Sequence, residues 1–571
     1  MAYKKFLTGF YTLVLCFISL GVLAQGGRIP TPAENGMVVS SHYLASEIGR
    51  DILKQGGNAM DATVATAFGL AVTLPSAGNI GGGGFMVYHP ANADATAFNF
   101  REKAPLAATR EMYLGEDGKI KDNANHEGVL SVGVPGTVAG LYKAHQKYGK
   151  LEWAKLVEPA IKIAQSGFAV SHGLADFSQW VFDNKEEYSS TAKVFLKKDG
   201  TPLKRGDILV QNDLAETLKR IRDKGPEGFY KGKTAQLIAD FMKAHDGLIT
   251  KKDLEVYEAE EVEPIKGNYR GLEVIGMPPP SSGGVAIVEM LNILEGFNLK
   301  EEGHNSASSI HLITEAMRRA FADRAQFLGD PNFNPDMPLD KLTSKEYAEE
   351  LRKTIELKKA SVSDSTRFNA AHLAYESPET THFSVIDKDG NAISITYTLE
   401  HSYGSKIVVE GAGFLLNNEM GDFNAIPGLT NSQGRIGTLP NQIEPEKRML
   451  SSMSPIILTK DNKPYLIIGS PGGRTIINTV LLVILNVVDY DLDIAKAIES
   501  PRYHHQWFPD VTFFEEWGFS PDTMELYKSM GHETDSRDSQ GRAMGIMIDA
   551  ENNLYYGAAD SRSYDGGAAG Y

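Results

Sequence analysis

"ESPETTHFSVIDKDGNAISITYT", residues 376–398, is two strand-like runs around a strong turn signal. Phe383 and Val385, then Ile393, Ile395 and Tyr397, alternate with polar residues, the pattern of half-buried strands. Asp389-Gly390 marks the turn between them. A five-residue loop over 387–391 sets Ile386 opposite Ala392 and Thr380 opposite Thr398, whereas a two-residue turn sets Thr381 opposite Thr398. In either register the adjacent threonines meet Thr398 at the open end of one hairpin, where facing side chains lie about 5 Å apart. Chemistry that uses such a cluster makes one threonine chain-terminal. Its hydroxyl is a weak nucleophile, and its own freed α-amine, with a pKa of about 7.7–8.0, is a base on the same residue. The precursor must then cut itself, and the loop 375–379, containing Pro378, presents the bond to be cut.

On the N-terminal side, residues 42–75 read as two helices. Leu44, Ile48 and Ile52 share a face, Gly56-Gly57 stops the first, and Asn58 caps the second with Asp61 three residues on. "NIGGGGFMVYH" (79–89) runs from glycines into a strand. No Gly-Lys-Ser/Thr follows and no helix begins there, so crowded backbone beside a strand is favoured over a phosphate loop. Residues 133–165 and 207–246 are helical, and Leu312, Ile313, Ala316, Met317, Ala320 and Phe321 form a helical core stripe. From Phe383 onward short strands dominate, with one strong helix after "GSPGGRT" (469–475). Helices first, then hairpins and a further helix, predict helices layered on an antiparallel sheet.

The net charge is -16, from 73 acids against 57 bases, which argues against nucleic acid as a partner. Lys4 and Lys5, the apolar run Phe6 to Leu23 and the small-residue site at Val22-Leu23-Ala24 predict a cleaved secretory signal over 1–24, with an uncleaved anchor as the alternative. The single cysteine, Cys16, lies within it, so the mature chain would have no disulfide, cysteine nucleophile or thiolate metal site. The apolar stretch 476–488 is too short to span a membrane.

"ETTHFSVIDKDGNAISITYT", "GFLLNNEMGDF", "KRMLSSMSP", "GSPGGR" and "PRYHHQW" resemble blocks of the γ-glutamyltransferases, members of the N-terminal-nucleophile hydrolases, in that family's order. So do "EIGRDIL", "GGGGFMVYH", "FREKAP", "SVGVPGTVAG" and "PPPSSGG" in the first half, and the likeness runs from about residue 33 to the final "AAGY". It implies an α+β fold, a four-layer αββα sandwich. It implies cleavage between Glu379 and Thr380 into a large subunit (25–379) and a small one (380–571) that stay associated. Thr380 would be the nucleophile, Thr398 its hydrogen-bond partner and Thr381 an ordinary outward strand residue. Arg101 would bind the donor's α-carboxylate, a role for which a guanidinium fork is suited. Ser451 and Ser452 would donate further hydrogen bonds to it, and Glu419 and Asp422 would accept from the α-ammonium. Gly472 and Gly473 match the oxyanion hole, and backbone N–H groups at the start of a helix suit developing negative charge.

Two departures stand out. Many family members have asparagine where this chain has Glu400, which would receive the ammonium more strongly while adding negative charge. The lid loop, about 431–448, often carries a tyrosine where this chain has Gln433. His504-His505 is read as structural, since adjacent strand positions face opposite ways. The resemblance implies no metal or organic cofactor, and a secreted enzyme, periplasmic or extracellular, that passes the γ-glutamyl group of glutathione to water or to an amino acid or peptide acceptor. Rivals are a cephalosporin or glutaryl acylase of the same fold, against which the retained ammonium and carboxylate set speaks, a poly-γ-glutamate processor of that fold, and an inactive γ-glutamyl binder, against which the intact Thr380, Thr398 and glycine pair speak.

Overall fold

The computed structural model describes residues 28–363, 379–426 and 439–571. The expected signal segment with Cys16, the loop residue Pro378 and the lid position Gln433 lie outside the described residues. No helix among those described is long and apolar enough to cross a membrane.

The hairpin takes the five-residue loop. Ile386 pairs with Ala392 and the register runs back to Thr381 opposite Tyr397, which leaves Thr380 beside Thr398. Asp387 builds the turn. Its Oδ1 accepts from the amides of Asp389 at 2.9 Å and Asn391 at 3.0 Å, while its Oδ2 accepts from Ala59 at 2.8 Å at the start of a helix. Gly390, at φ +87°, takes the left-handed position of the turn.

Two seven-stranded sheets stack face to face. One runs, edge to edge, through Gly567–Gly570, Gly36–Ser40, Thr381–Asp387, Ala392–Thr398, Gly83–His89, Thr96–Asn99 and Glu260–Val262. The other runs through Thr31–Ala33, Leu554–Ala559, Met544–Asp549, Lys463–Gly469, Ile456–Lys460, Leu272–Gly276 and Ile265–Tyr269. Helices Tyr43–Lys54 and Ala59–Thr73 cover the outer face of the first, the second of them opened by the expected Asn58–Asp61 capping box. Helices Gly283–Leu294 and Thr475–Val488 cover the second sheet, and Ala307–Phe327 packs on the former. This is the four-layer αββα arrangement, but strands precede Glu379 as well as follow it. Each sheet therefore mixes strands from both sides of that residue, which the order of helices first and hairpins later does not convey.

The strands of the central hairpin are buried on both faces, not half-buried. Phe383, Val385, Ile393 and Ile395 pack toward the helices. The alternating polar residues face the second sheet instead of water. His382 Nδ1 meets Thr396 Oγ1 at 2.8 Å, Ser384 Oγ donates to the Met544 carbonyl at 3.0 Å and Ser394 Oγ to that of Ile468 at 3.0 Å. Thr381 is likewise not outward: it is buried and donates to Ser41 Oγ at 3.0 Å. A polar residue between sheets is tolerated when its hydrogen bonds are made.

Candidate active site

Thr380 and Thr398 meet where the first sheet ends, and the glycine run explains how neighbouring backbone comes so close. A Cβ on Gly82 would sit 2.0 Å from the Thr398 carbonyl oxygen, and one on Gly84 2.4 Å from that of Thr396. Asn79, just before the glycines, donates to the Thr398 carbonyl at 2.9 Å and accepts from Gly82 N at 3.0 Å, fixing the strand end. The crowded backbone expected of this motif is present, and it seats Thr398.

Both hydroxyls converge on one carbonyl. Thr380 Oγ1 donates to the Glu379 oxygen, and Thr398 Oγ1 lies 3.5 Å from the same atom. Thr398 Oγ1 also accepts from the Glu400 amide at 2.8 Å. The Thr398 hydroxyl thus turns to the Glu379 carbonyl. Arg542 was not singled out in the sequence, yet it grips the Glu379 side chain with both guanidinium branches, each at 3.1 Å.

A narrow cleft opens here, lined by Arg101, Glu379, Thr380, Thr398, Glu400, Glu419, Asp422, Ser451, Ser452 and Gly473. Every residue proposed for the site from the sequence lines it except Gly472, which precedes Gly473 in the chain. Arg101 is 1 % exposed and already held by carboxylates, by Glu419 at 2.5 Å and by Asp422, with Glu102 at 3.6 Å. Burial works against its charge, and Glu419, Asp422 and Glu102 more than offset that, so its pKa is raised. Burial pushes the Glu419 carboxyl well above the usual range; Arg101 opposes this, while Glu102, Asp422 and Glu400 add to it. Glu102, a second residue not singled out, is pushed up to about 7 by burial against the pull of Arg101. One guanidinium thus faces three acids, and the carboxyl protons make up part of the difference.

At the other side of the cleft, Gly472 at φ +137° and Gly473 at φ +54° lead into helix 475–488, with Thr475 Oγ1 donating to the Gly472 carbonyl at 2.7 Å. A Cβ on Gly472 would meet Thr475 Oγ1 at 2.5 Å, so this turn is written for glycine. Ser452 Oγ accepts from Arg324 at 2.9 Å, and Arg324 also donates to Ser282 Oγ at 2.8 Å. Ser451 Oγ accepts from the Met453 amide at 3.2 Å. Arg324 lies in the last turn of the helix Ala307–Phe327 and has no local sequence signal for this role. His504 and His505 go to different partners: His504 to Asn478 at 2.7 Å and Gln506 at 2.8 Å, His505 to Asp510 at 3.1 Å.

The family model described as gamma-glutamyltranspeptidase matches residues 45–571. The chain is 47 % identical over 547 residues to the glutathione hydrolase proenzyme of Escherichia coli (strain K12), covering 95 % of this chain and 93 % of that protein. Among solved structures, cephalosporin acylase from Bacillus halodurans superposes with a TM-score of 0.83 at 29 % identity, over 97 % of this chain and 98 % of that one. A gamma-glutamyltranspeptidase chain from Helicobacter pylori is 45 % identical, with a TM-score of 0.55 over 56 % of this chain and 92 % of that one.

Proposed function

The chain belongs to the gamma-glutamyltranspeptidase family, and from that premise we propose that Thr380 is the nucleophile of a self-processing γ-glutamyltransferase, acting first on its own chain and then on γ-glutamyl donors. The observation that carries this reading is the convergence of the Thr380 and Thr398 hydroxyls on the Glu379 carbonyl inside the Arg101 cleft.

In maturation the Thr380 hydroxyl attacks the Glu379 carbonyl carbon and the C–N bond breaks. The nitrogen leaves as the Thr380 α-amine and Glu379 is left as an ester on Thr380 Oγ1. Water hydrolyses that ester, releasing the Glu379 carboxylate and regenerating the hydroxyl. Thr398, donating to the same carbonyl oxygen, polarises it. The free α-amine then serves as base for Thr380, as in other chain-terminal threonines. A donor such as glutathione binds with its α-carboxylate on Arg101, Ser451 and Ser452 and its α-ammonium on Glu400, Glu419 and Asp422. Thr380 attacks the γ-carbonyl, and the Gly472 and Gly473 amides receive the oxyanion. Water or an amine acceptor takes the γ-glutamyl group from the ester. Because Arg101 is held by Glu419 and Asp422, the zwitterionic end of the donor exchanges one buried pairing for two, each acid and base keeping a partner. The basic, apolar and small-residue order of residues 1–24 supports export to the periplasm or beyond.

The test is glutathione turnover, with glutamate and transfer product measured with and without a dipeptide acceptor. Wild-type enzyme should release glutamate and form more transfer product as acceptor rises, and Thr380→Ala should do neither. Turnover by Thr380→Ala would overturn the assignment.

A further inference from the structure

Beside the ammonium end of the cleft, two imidazoles and a carboxylate converge. The ligand atoms of His126, Glu400 and His401 all lie within 4.8 Å of one another. Glu400 Oε1 is 3.3 Å from His126 Nδ1 and 3.3 Å from His401 Nε2. His126 Nδ1 is also hydrogen-bonded to Glu400 Oε2, at 3.5 Å. With metal–ligand distances of about 2.0–2.2 Å, two ligands of one tetrahedral zinc stand roughly 3.3–3.5 Å apart. The imidazole rings stack at 5.1 Å, tilted by 13°.

The set is held before any ion arrives. Asn418 Nδ2 donates to the His126 carbonyl at 3.0 Å, and Asn418 Oδ1 accepts from the His401 amide at 3.0 Å. One side chain thereby fixes both histidine-bearing segments, and the Glu400 amide is fixed on Thr398. All three contacts hold backbone, and so fix where the three side chains start. The His401 side chain is 24 % exposed, which gives an ion a way in.

A second cluster, His311, Glu315 and His532, shows the contrast. His311 Nδ1 and His532 Nε2 are hydrogen-bonded at 2.7 Å, too close to share one tetrahedral ion, and Glu315 is held by Arg318 at 3.2 Å and Arg319 at 2.7 Å.

We propose that His126, Glu400 and His401 form a three-ligand site for a zinc-class divalent cation at the edge of the active-site cleft, and that an ion bound there withdraws Glu400 from the donor's ammonium. The inhibition half of this rests on the donor-binding reading above; the binding half does not. Two imidazoles and one carboxylate suit borderline ions such as zinc and cobalt and leave a fourth position open to water. Glu102, Glu419 and Asp422, set against Arg101, make the surroundings favourable for a cation, while Lys406 opposes it.

The test uses chelator-stripped processed protein. Calorimetry with zinc chloride should give one equivalent bound, and His401→Ala and His126→Gln should each weaken it at least tenfold. Cobalt in place of zinc should give the visible bands of a four-coordinate centre in wild type and lose them in His401→Ala. In the presence of glutathione, zinc should raise KM and leave kcat unchanged, and the same zinc concentration should leave the His401→Ala KM near its metal-free value. Absence of binding, or binding that survives both histidine substitutions, overturns the site. Binding lost in the variants together with inhibition that lowers kcat overturns its coupling to Glu400. The calorimetric and cobalt readings require no turnover, so an inactive protein that still binds the metal would contradict the transferase reading and leave the site standing.

Discussion

Arg101 is the counter-charge of a buried acid cluster and the proposed anchor of the donor, and its substitutions separate the two roles. Arg101→Lys keeps a charge but loses the fork, so kcat/KM for glutathione should fall by about 2–4 kcal/mol, roughly 30- to 1000-fold, with self-cleavage intact. Arg101→Met leaves Glu102, Glu419 and Asp422 without their guanidinium and should destabilise the fold by about 3–5 kcal/mol, measured by urea unfolding. Equal stability of the two variants would show that the acids do not depend on Arg101. Glu102 gives a pH signature. Its folded pKa lies above the unfolded value, so the folded state binds the extra proton and stability falls as pH rises from about 4.5 to about 7. Glu102→Gln carries no such proton. The variant should match wild type near pH 5 and exceed it near pH 8 by up to about 3 kcal/mol, and a pH-independent difference would contradict the burial of an ionisable Glu102. Arg101 was legible because it sits in a recognisable block, and Glu102 beside it was not, because an exposed acid and a buried one read alike in sequence.

At the scale of elements, the hairpin was the most legible part. Its register follows from local turn chemistry, and the five-residue loop set Thr380 beside Thr398 as one of the two readings required. The burial of its polar face was not legible, since alternation looks the same whether that face meets water or the carbonyls of a second sheet. Arg542 was missed for a similar reason: it lies 163 residues from Glu379 and reaches it only through sheet stacking. Its amide is tied to Ser470 Oγ at 2.9 Å, next to the loop that carries Gly472 and Gly473. The Arg542 fork therefore holds the residue before the bond to be cut in register with that loop. Arg542→Gln should slow self-cleavage about fivefold, the effect of losing roughly 1 kcal/mol from a partly exposed pair. Glu379→Gln should do the same and the double variant no more, while glutathione turnover by the processed enzyme stays within twofold. Additive slowing in the double variant would show that the two side chains act separately.

Across the whole molecule, the proposed cut at Glu379–Thr380 would not divide the architecture. The strands Thr381–Asp387 and Gly567–Gly570 flank Gly36–Ser40, and Ala392–Thr398 pairs with Gly83–His89. In the other sheet Ile456–Lys460 pairs with Leu272–Gly276 and Leu554–Ala559 with Thr31–Ala33. The processed fragments should co-elute in native buffer at the size of the uncut chain and unfold in one transition; two separate transitions would contradict this interlocking. The account as a whole depends on which bond is cut and by what. The direct measurement is N-terminal sequencing and intact mass of the smaller fragment of purified protein, beside the Thr380→Ala variant. The smaller fragment should begin Thr380-Thr381-His382-Phe383, and the variant should remain one chain. A fragment beginning elsewhere, or a variant that yields the same two fragments, would contradict Thr380 as the nucleophile.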